Sequence, residues 1–439
     1  MYELRKSYWK NTIERNQGST LKAPSKDAVV KRLVFVWRDA VRATQNMEET
    51  LKKPHRAHFG SEGGYFLSSR GAYAFDQIIG ELKKAEETRA KFSDQYLERI
   101  LNEAMIKLQR VKETQIHSMA QEQINSLFEI LAAPAVDWAL LVPITNLDIE
   151  MDELETGNVK FLKLKNDLKT DLKLRSGRLA PQLGKILDQN FVGNVCAKVV
   201  VSAVDEDRAK DIGTQEISLA LDALRFYGLN SCFPNSTFAR NYFDMQGDIS
   251  SGKQIMILFS SKVFTIPHEI KGFLHDFKIT KSALTSMKSD GFDILSAILT
   301  KSEKDRTDFE KALVTGVRFC ALSTQDMKIF NSFVDSTISL EALLLAQHDS
   351  KRDNLAERVA FIIGKNLNER NHYYDEMKNL YGIRCGIVHS GNTDVRPSDF
   401  QELQWIDYTC LVNMLKLYQS LKMGSVADLV TWIRKQKFK

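Results

Sequence analysis

A chain of 439 residues, 43% hydrophobic and 27% charged, exceeds one ordinary core and is too apolar to be disordered or collagenous, so two or three globular domains are expected. The 61 Lys and Arg against 56 Asp and Glu give a net charge of +5, which permits a nucleic-acid partner without requiring one. The five cysteines, Cys196, Cys232, Cys320, Cys385 and Cys410, lie far apart with no CxxC pair, which argues against a disulfide framework and for a reducing interior. No apolar leader opens the sequence and no apolar run approaches bilayer length, so the expectation is a cytoplasmic protein with no membrane contact.

In chain order, the expected fold class is mainly α with a mixed α+β middle domain and a carboxy-terminal all-α bundle, divided as 1–132, 133–304 and 305–439. Residues 28–131 carry helical spacing at Val29, Leu33, Val36 and Ala40, and again at Ile100, Ala104, Leu108 and Val111, which predicts helical scaffold. Between these helices, Phe59-Gly-Ser-Glu-Gly-Gly-Tyr-Phe66 reads as a loop, because its three glycines lack the strand, the helix and the Lys-Ser or Lys-Thr of a phosphate-cradling loop. Neighbouring His55 and His58 have the spacing of a ligand pair but sit beside Pro54 in what reads as a loop, without nearby carboxylate or cysteine ligands. No metal is therefore expected there. His117, His268, His275, His348 and His372 have no recognisable partners either.

Past Ala133 the pattern changes to short β-rich runs, Trp138 to Ile144, Val159 to Leu164, Val195 to Val204 and Gln254 to Phe259. Gln215 to Tyr227 reads as a helix that stops at Gly228. Lys160, Lys163, Lys165, Lys169, Lys173, Arg175 and Arg178 form a basic stripe against only Asp167 and Asp171; it is either a path for an RNA backbone or a solvated face. The basic tail, Arg434 to Lys439, carries the same two readings.

The last third parses into five helices. The first spans Arg306 to Ala321; the second follows an N-cap at Ser323, with Asp326 in its first turn; the third runs from Asn354 to Asn366. The fourth spans Tyr373 to His389 and is closed by Gly391 as a left-handed cap, and the fifth opens on a Ser398 to Gln401 capping box. Together they predict an all-helical bundle.

On the fourth of these helices, Tyr381-Gly-Ile-Arg384-Cys-Gly-Ile-Val-His389-Ser-Gly391 resembles the R-x(4–6)-H signature of the HEPN superfamily. The Apea-like branch is the closest match, through Ser339-Leu340-Glu341-Ala342-Leu343 upstream and Leu355-Ala-Glu-Arg-Val-Ala360 between the two motifs. The resemblance covers Asp305 to Lys422 and implies a metal-independent endoribonuclease, without cofactor, of a kind found in prokaryotic antiphage and abortive-infection systems. It implies Arg384 and His389 as the catalytic pair, with the expected partners an RNA such as transfer RNA or another structured RNA, a second copy bound through the HEPN bundle, and a phage-derived trigger. Cys385 stands where many active members carry a polar residue, which keeps open a catalytically silent module that binds RNA or a partner protein. Glu341 is either a buttress for Arg384 or a surface helix residue, and Asn392 is either a supporting group or part of the turn.

These residue types suit the chemistry. Cleavage through the 2′-hydroxyl needs a base, an acid for the leaving 5′-oxygen and a cation at phosphorus; imidazole moves protons near neutrality, and the guanidinium fork matches two phosphate oxygens. A cation and a His near a helix C-terminus also simply offset the dipole, which is the alternative reading of the same residues. Residues five apart on a helix diverge by roughly 140°, so closing a site requires a loosened helix end or a second copy related by a two-fold axis.

Overall fold

The computed structural model describes residues 25–42, 55–60, 63–164, 169–170, 180–229, 243–245, 252–255, 258–259, 264–265, 268–271, 277–326, 328–346 and 349–438. These are mainly helical, with a smaller β portion confined to the stretch before residue 280. They fall into two compact units, Met1–Trp138 with Val201–Ile212, and Ala139–Val200 with Gly213–Lys439. Most of the expected middle region thus lies in one unit with the carboxy-terminal helices.

The first unit begins with α1 (Lys26–Asp39), whose N-cap Ser25 accepts from the Ala28 N–H at 3.3 Å and whose Val29, Leu33 and Val36 are buried as their spacing requires. The chain then forms β1 (Val41–Arg42), β2 (His55–Gly60) and β3 (Gly63–Ser68), an antiparallel sheet in the order β1-β3-β2. The expected loop over Phe59 to Phe66 is therefore a β-hairpin, and His55 opens a strand; residues 61–62 lie outside the described residues. Three consecutive buried residues, Tyr65, Phe66 and Leu67, supply the apolar area that favours a strand, and the glycines flank the turn. The helices α2 (Ser69–Leu82), α3 (Glu86–Lys91), α4 (Asp94–Leu108) and α5 (Ile116–Leu131) follow, and Leu33, Tyr65, Phe75, Leu101 and Ile124 join in one core.

Next come β4 (Val136–Thr145), β5 (Leu147–Ile149), β6 (Glu153–Thr156), β7 (Val159–Lys163), α6 (Ala180–Asn190), β8 (Val195–Ala203), α7 (Glu206–Gly228) and β9 (Asp244–Met245). Five of the strands form a sheet in the order β6-β7-β8-β4-β9, with β7 and β8 antiparallel and Phe161 opposite Ala197. The three expected strands here are all present, and the expected helix ends at Gly228 but starts nine residues earlier, at Glu206 rather than Gln215. Beyond them lie β10 (Gly252–Ile255), β11 (Leu258–Phe259), β12 (Phe264–Thr265), β13 (His268–Lys271) and β14 (Phe277–Ile279); the expected run from Gln254 to Phe259 is split between β10 and β11.

The remainder is helical: α8 (Lys281–Ser289), α9 (Phe292–Leu299), α10 (Asp308–Ser323), α11 (Ile329–Leu344), α12 (Lys351–Ile363), α13 (Leu367–Ser390), α14 (Pro397–Leu421) and α15 (Val426–Lys437). Phe309, Phe333 and Phe400, one each from α10, α11 and α14, are fully buried, and each contributes on the order of 1.5–3 kcal/mol. The backbones of α10 and α11 approach closely at Gly316, where a Cβ would lie 3.0 Å from Leu411 and 3.5 Å from the Ser339 carbonyl.

Several helix boundaries depart from the sequence reading. The helix α10 begins at Asp308 rather than Arg306, because Thr307 caps it through a reciprocal capping box with Glu310. Ser323 ends α10 and donates to the Cys320 carbonyl at 2.7 Å, while Asp326 precedes α11 and accepts from the Lys328 N–H. Asn366 does not finish α12; its side chain caps α13 by accepting from Glu369 N–H at 3.0 Å. Ser398 makes no capping box, because Pro397, pre-set for the first helical position, starts α14 one residue earlier. A sixth helix, α15, takes up most of the basic tail; its own capping box joins Ser425 and Asp428.

Candidate functional site

The helix α13 carries both motif residues. It closes at Gly391, φ 66°, the left-handed conformation that glycine adopts without penalty, as its position after the last helical residue predicts. The Gly391 and Asn392 N–H groups both reach the Gly386 carbonyl, a wider closure than the i→i−4 ladder that ends the helix just past His389. Of its 24 residues only Met377, Leu380 and Tyr381 are buried, and Ile383, Cys385, Ile387 and Val388 are half-buried.

Arg384 turns toward α11. Its Nη2 lies 3.1 Å from Glu341 Oε1, with both side chains 14% exposed, so Glu341 is in direct contact with Arg384 and is not a free surface residue. Tyr381, one turn earlier on the same face, donates its hydroxyl to the same Glu341 oxygen at 3.1 Å, and the guanidinium stands 5.6 Å from its ring centroid. Burial, and then the Glu341 charge, push the Tyr381 phenol up, so it remains a proton donor to that carboxylate. Lys351, the first residue of α12, donates to the other Glu341 oxygen at 2.8 Å. Arg384 Nε is buried and has no hydrogen-bond partner.

His389 is exposed at the end of α13, and no hydrogen bond or ion pair joins it to Arg384 among the described residues. Five residues apart on one helix, the two motif positions diverge by roughly 140°. Cys385 is a free, half-buried thiol. Asn392 belongs to the turn: its Oδ1 accepts from the Asp394 N–H at 3.0 Å.

The basic stripe is only partly within the described residues. Lys160 pairs with Glu153 and Glu155, Lys163 with Asp148, and Lys169 with Asp188, so each of these cations already faces a carboxylate. Lys165, Lys173, Arg175 and Arg178 lie outside the described residues. In the first unit His58 is 3% exposed and stacks on Tyr65 with centroids 5.1 Å apart, which makes it part of the core around β2 and β3.

Two members of the cluster around Glu341 have no role assigned from sequence. Tyr381 carries a usable signal, its i,i+3 relation to Arg384, whereas Lys351 arrives from a different helix and carries none. No family model, curated protein or solved structure matches the chain. Among the described residues, no helix is long and apolar enough to cross a membrane.

Proposed function

We propose that the chain is a metal-independent endoribonuclease of the HEPN type, acting in the cytoplasm in prokaryotic antiphage defence. The observation that supports it is the arrangement on α13: an arginine held in place by a carboxylate and a tyrosine, with an exposed histidine five residues on at the capped helix end. In this scheme His389 takes the proton from a ribose 2′-hydroxyl, the 2′-oxygen attacks phosphorus, and Arg384 stabilises the charge that builds on the phosphoryl oxygens. The 5′-oxygen leaves with a proton, and a 2′,3′-cyclic phosphate remains. DNA lacks the nucleophile and is spared.

Arg384 and His389 stand five residues apart on α13, and in this scheme a second copy completes the site. In this scheme a two-fold axis brings the motif end of α13 from each copy together, and the second His389 then serves as the acid. The test is cleavage of total cellular RNA with EDTA present, comparing wild type with Arg384→Ala and His389→Ala at equal folded concentration. Cutting by wild type alone is expected. Equal cutting by all three would remove the pair from the chemistry.

A further inference from the structure

Glu341 faces two cations, one on each oxygen: Arg384 from α13 at 3.1 Å and Lys351 from α12 at 2.8 Å. The other carboxylates along the approach to α12 and its first turn are matched one to one, Asp349 with Arg358 and Asp353 with Lys378. The Glu341 cluster therefore carries one positive charge in excess. A carboxylate and a phosphodiester each present two oxygens that share one negative charge, so two cations arranged about the first are arranged about the second as well.

Two features point to an exchange of one anion for the other. Arg384 uses only Nη2 on Glu341 and leaves the buried Nε without an acceptor, whereas an oxyanion that took the Nε and Nη2 edge together would satisfy both donors. Lys351 is 58% exposed, so its ion pair is solvent-screened and readily exchanged. We propose that Lys351 and Arg384 form a two-cation clamp for an RNA phosphodiester, which Glu341 keeps occupied until the substrate arrives. This rests on the RNA reading of Arg384 given above and adds Lys351 as a substrate contact and Glu341 as the resting-state placeholder.

The experiment uses the full chain and a fluorescein-labelled single-stranded 2′-O-methyl RNA, which cannot be cut, with binding read by fluorescence anisotropy across a salt series. One phosphate contact on a single strand accounts for a slope of about 0.7 in log affinity against log salt, or about fivefold in affinity at 0.1 M salt. Lys351→Gln and Arg384→Gln are each expected to weaken binding by about that factor and to flatten the slope by about 0.7. Lys351→Arg should retain the wild-type slope, and Glu341→Gln should tighten binding. Circular-dichroism melts establish that each variant is folded, and the exposure of Lys351 keeps its variants testable even if Glu341→Gln unfolds.

Wild-type affinity and slope in Lys351→Gln, with Arg384→Gln weakened, would overturn the clamp and leave the nuclease reading standing. Wild-type behaviour in both, or no binding by the wild type, would overturn both. Weaker binding by folded Glu341→Gln would make Glu341 a buttress and remove its placeholder role.

Discussion

Replacing Asp407 by Asn separates the neutral and ionised forms of a carboxyl buried in the carboxy-terminal bundle. The Ser339 hydroxyl lies 2.8 Å from the Gly316 carbonyl and 2.6 Å from Asp407 Oδ1. Ser339 has one proton to share between two acceptors, so the ionised form of Asp407 would be incompletely satisfied. Asp407 is 0% exposed, its Oδ2 has no partner, and no cation is paired with it among the described residues. Burial raises its pKa well above the ordinary carboxylate range, against the opposing hydrogen bonds from Ser339 and Cys320.

The sign follows from this upward shift. Stability from the protonated carboxyl is fully present below the unfolded-state pKa of about 3.9 and is lost as the pH rises toward the folded-state value, because only the unfolded chain releases the proton. The loss is about 1.4 kcal/mol per pH unit. The Asp407→Asn side chain would keep the shape and an N–H donor but would not titrate. Urea denaturation of wild type and Asp407→Asn at successive pH values from 5 to 8 should give curves that diverge in favour of the variant as pH rises. They become parallel at the folded-state pKa. Parallel curves throughout, or a variant that loses ground with rising pH, would refute the neutral-acid assignment.

Other expectations concern the site and its supports. Glu341→Ala leaves the Arg384 guanidinium and the Tyr381 hydroxyl without their shared acceptor and should cost about 1–3 kcal/mol in chemical denaturation. Gly391→Ala places a Cβ on a left-handed cap and should lower stability by roughly 1–2 kcal/mol, read as a shift in the denaturation midpoint. Thr307→Ala removes the capping box of α10 at a cost of about 1 kcal/mol, whereas exposed His389→Ala should stay within about 0.5 kcal/mol of wild type while losing RNA cleavage.

Much of this is legible in the sequence because it is local. The 3.6-residue spacing of Val29, Leu33 and Val36 marks α1, the alternation and β-branching around Val195 mark β8, and a single glycine marks the end of α13. The failures are also local, and they share a cause. At Phe59 to Phe66 the glycines outweigh Tyr65, Phe66 and Leu67 in the sequence, although the burial of those three decides the matter in the folded chain. Ser323 and Ser398 have the right side chains for caps, but Lys328 and Arg396 hold the cap positions, because α11 starts farther on and Pro397 starts α14. From sequence the contact between Arg384 and Glu341 is one of two possibilities, and the Lys351 contact has no signal at all. Both cross between helices, and sequence spacing does not report which helix faces meet.

The central claim is that Arg384 and His389 carry out RNA cleavage through the 2′-hydroxyl, and the chemistry of the product ends tests it most directly. Incubation of a defined RNA with wild type in EDTA, followed by end-group analysis, should give 2′,3′-cyclic phosphate and 5′-hydroxyl ends, and no product with His389→Ala or Arg384→Ala. Ends bearing a 5′-phosphate, or the same products from His389→Ala, would contradict it.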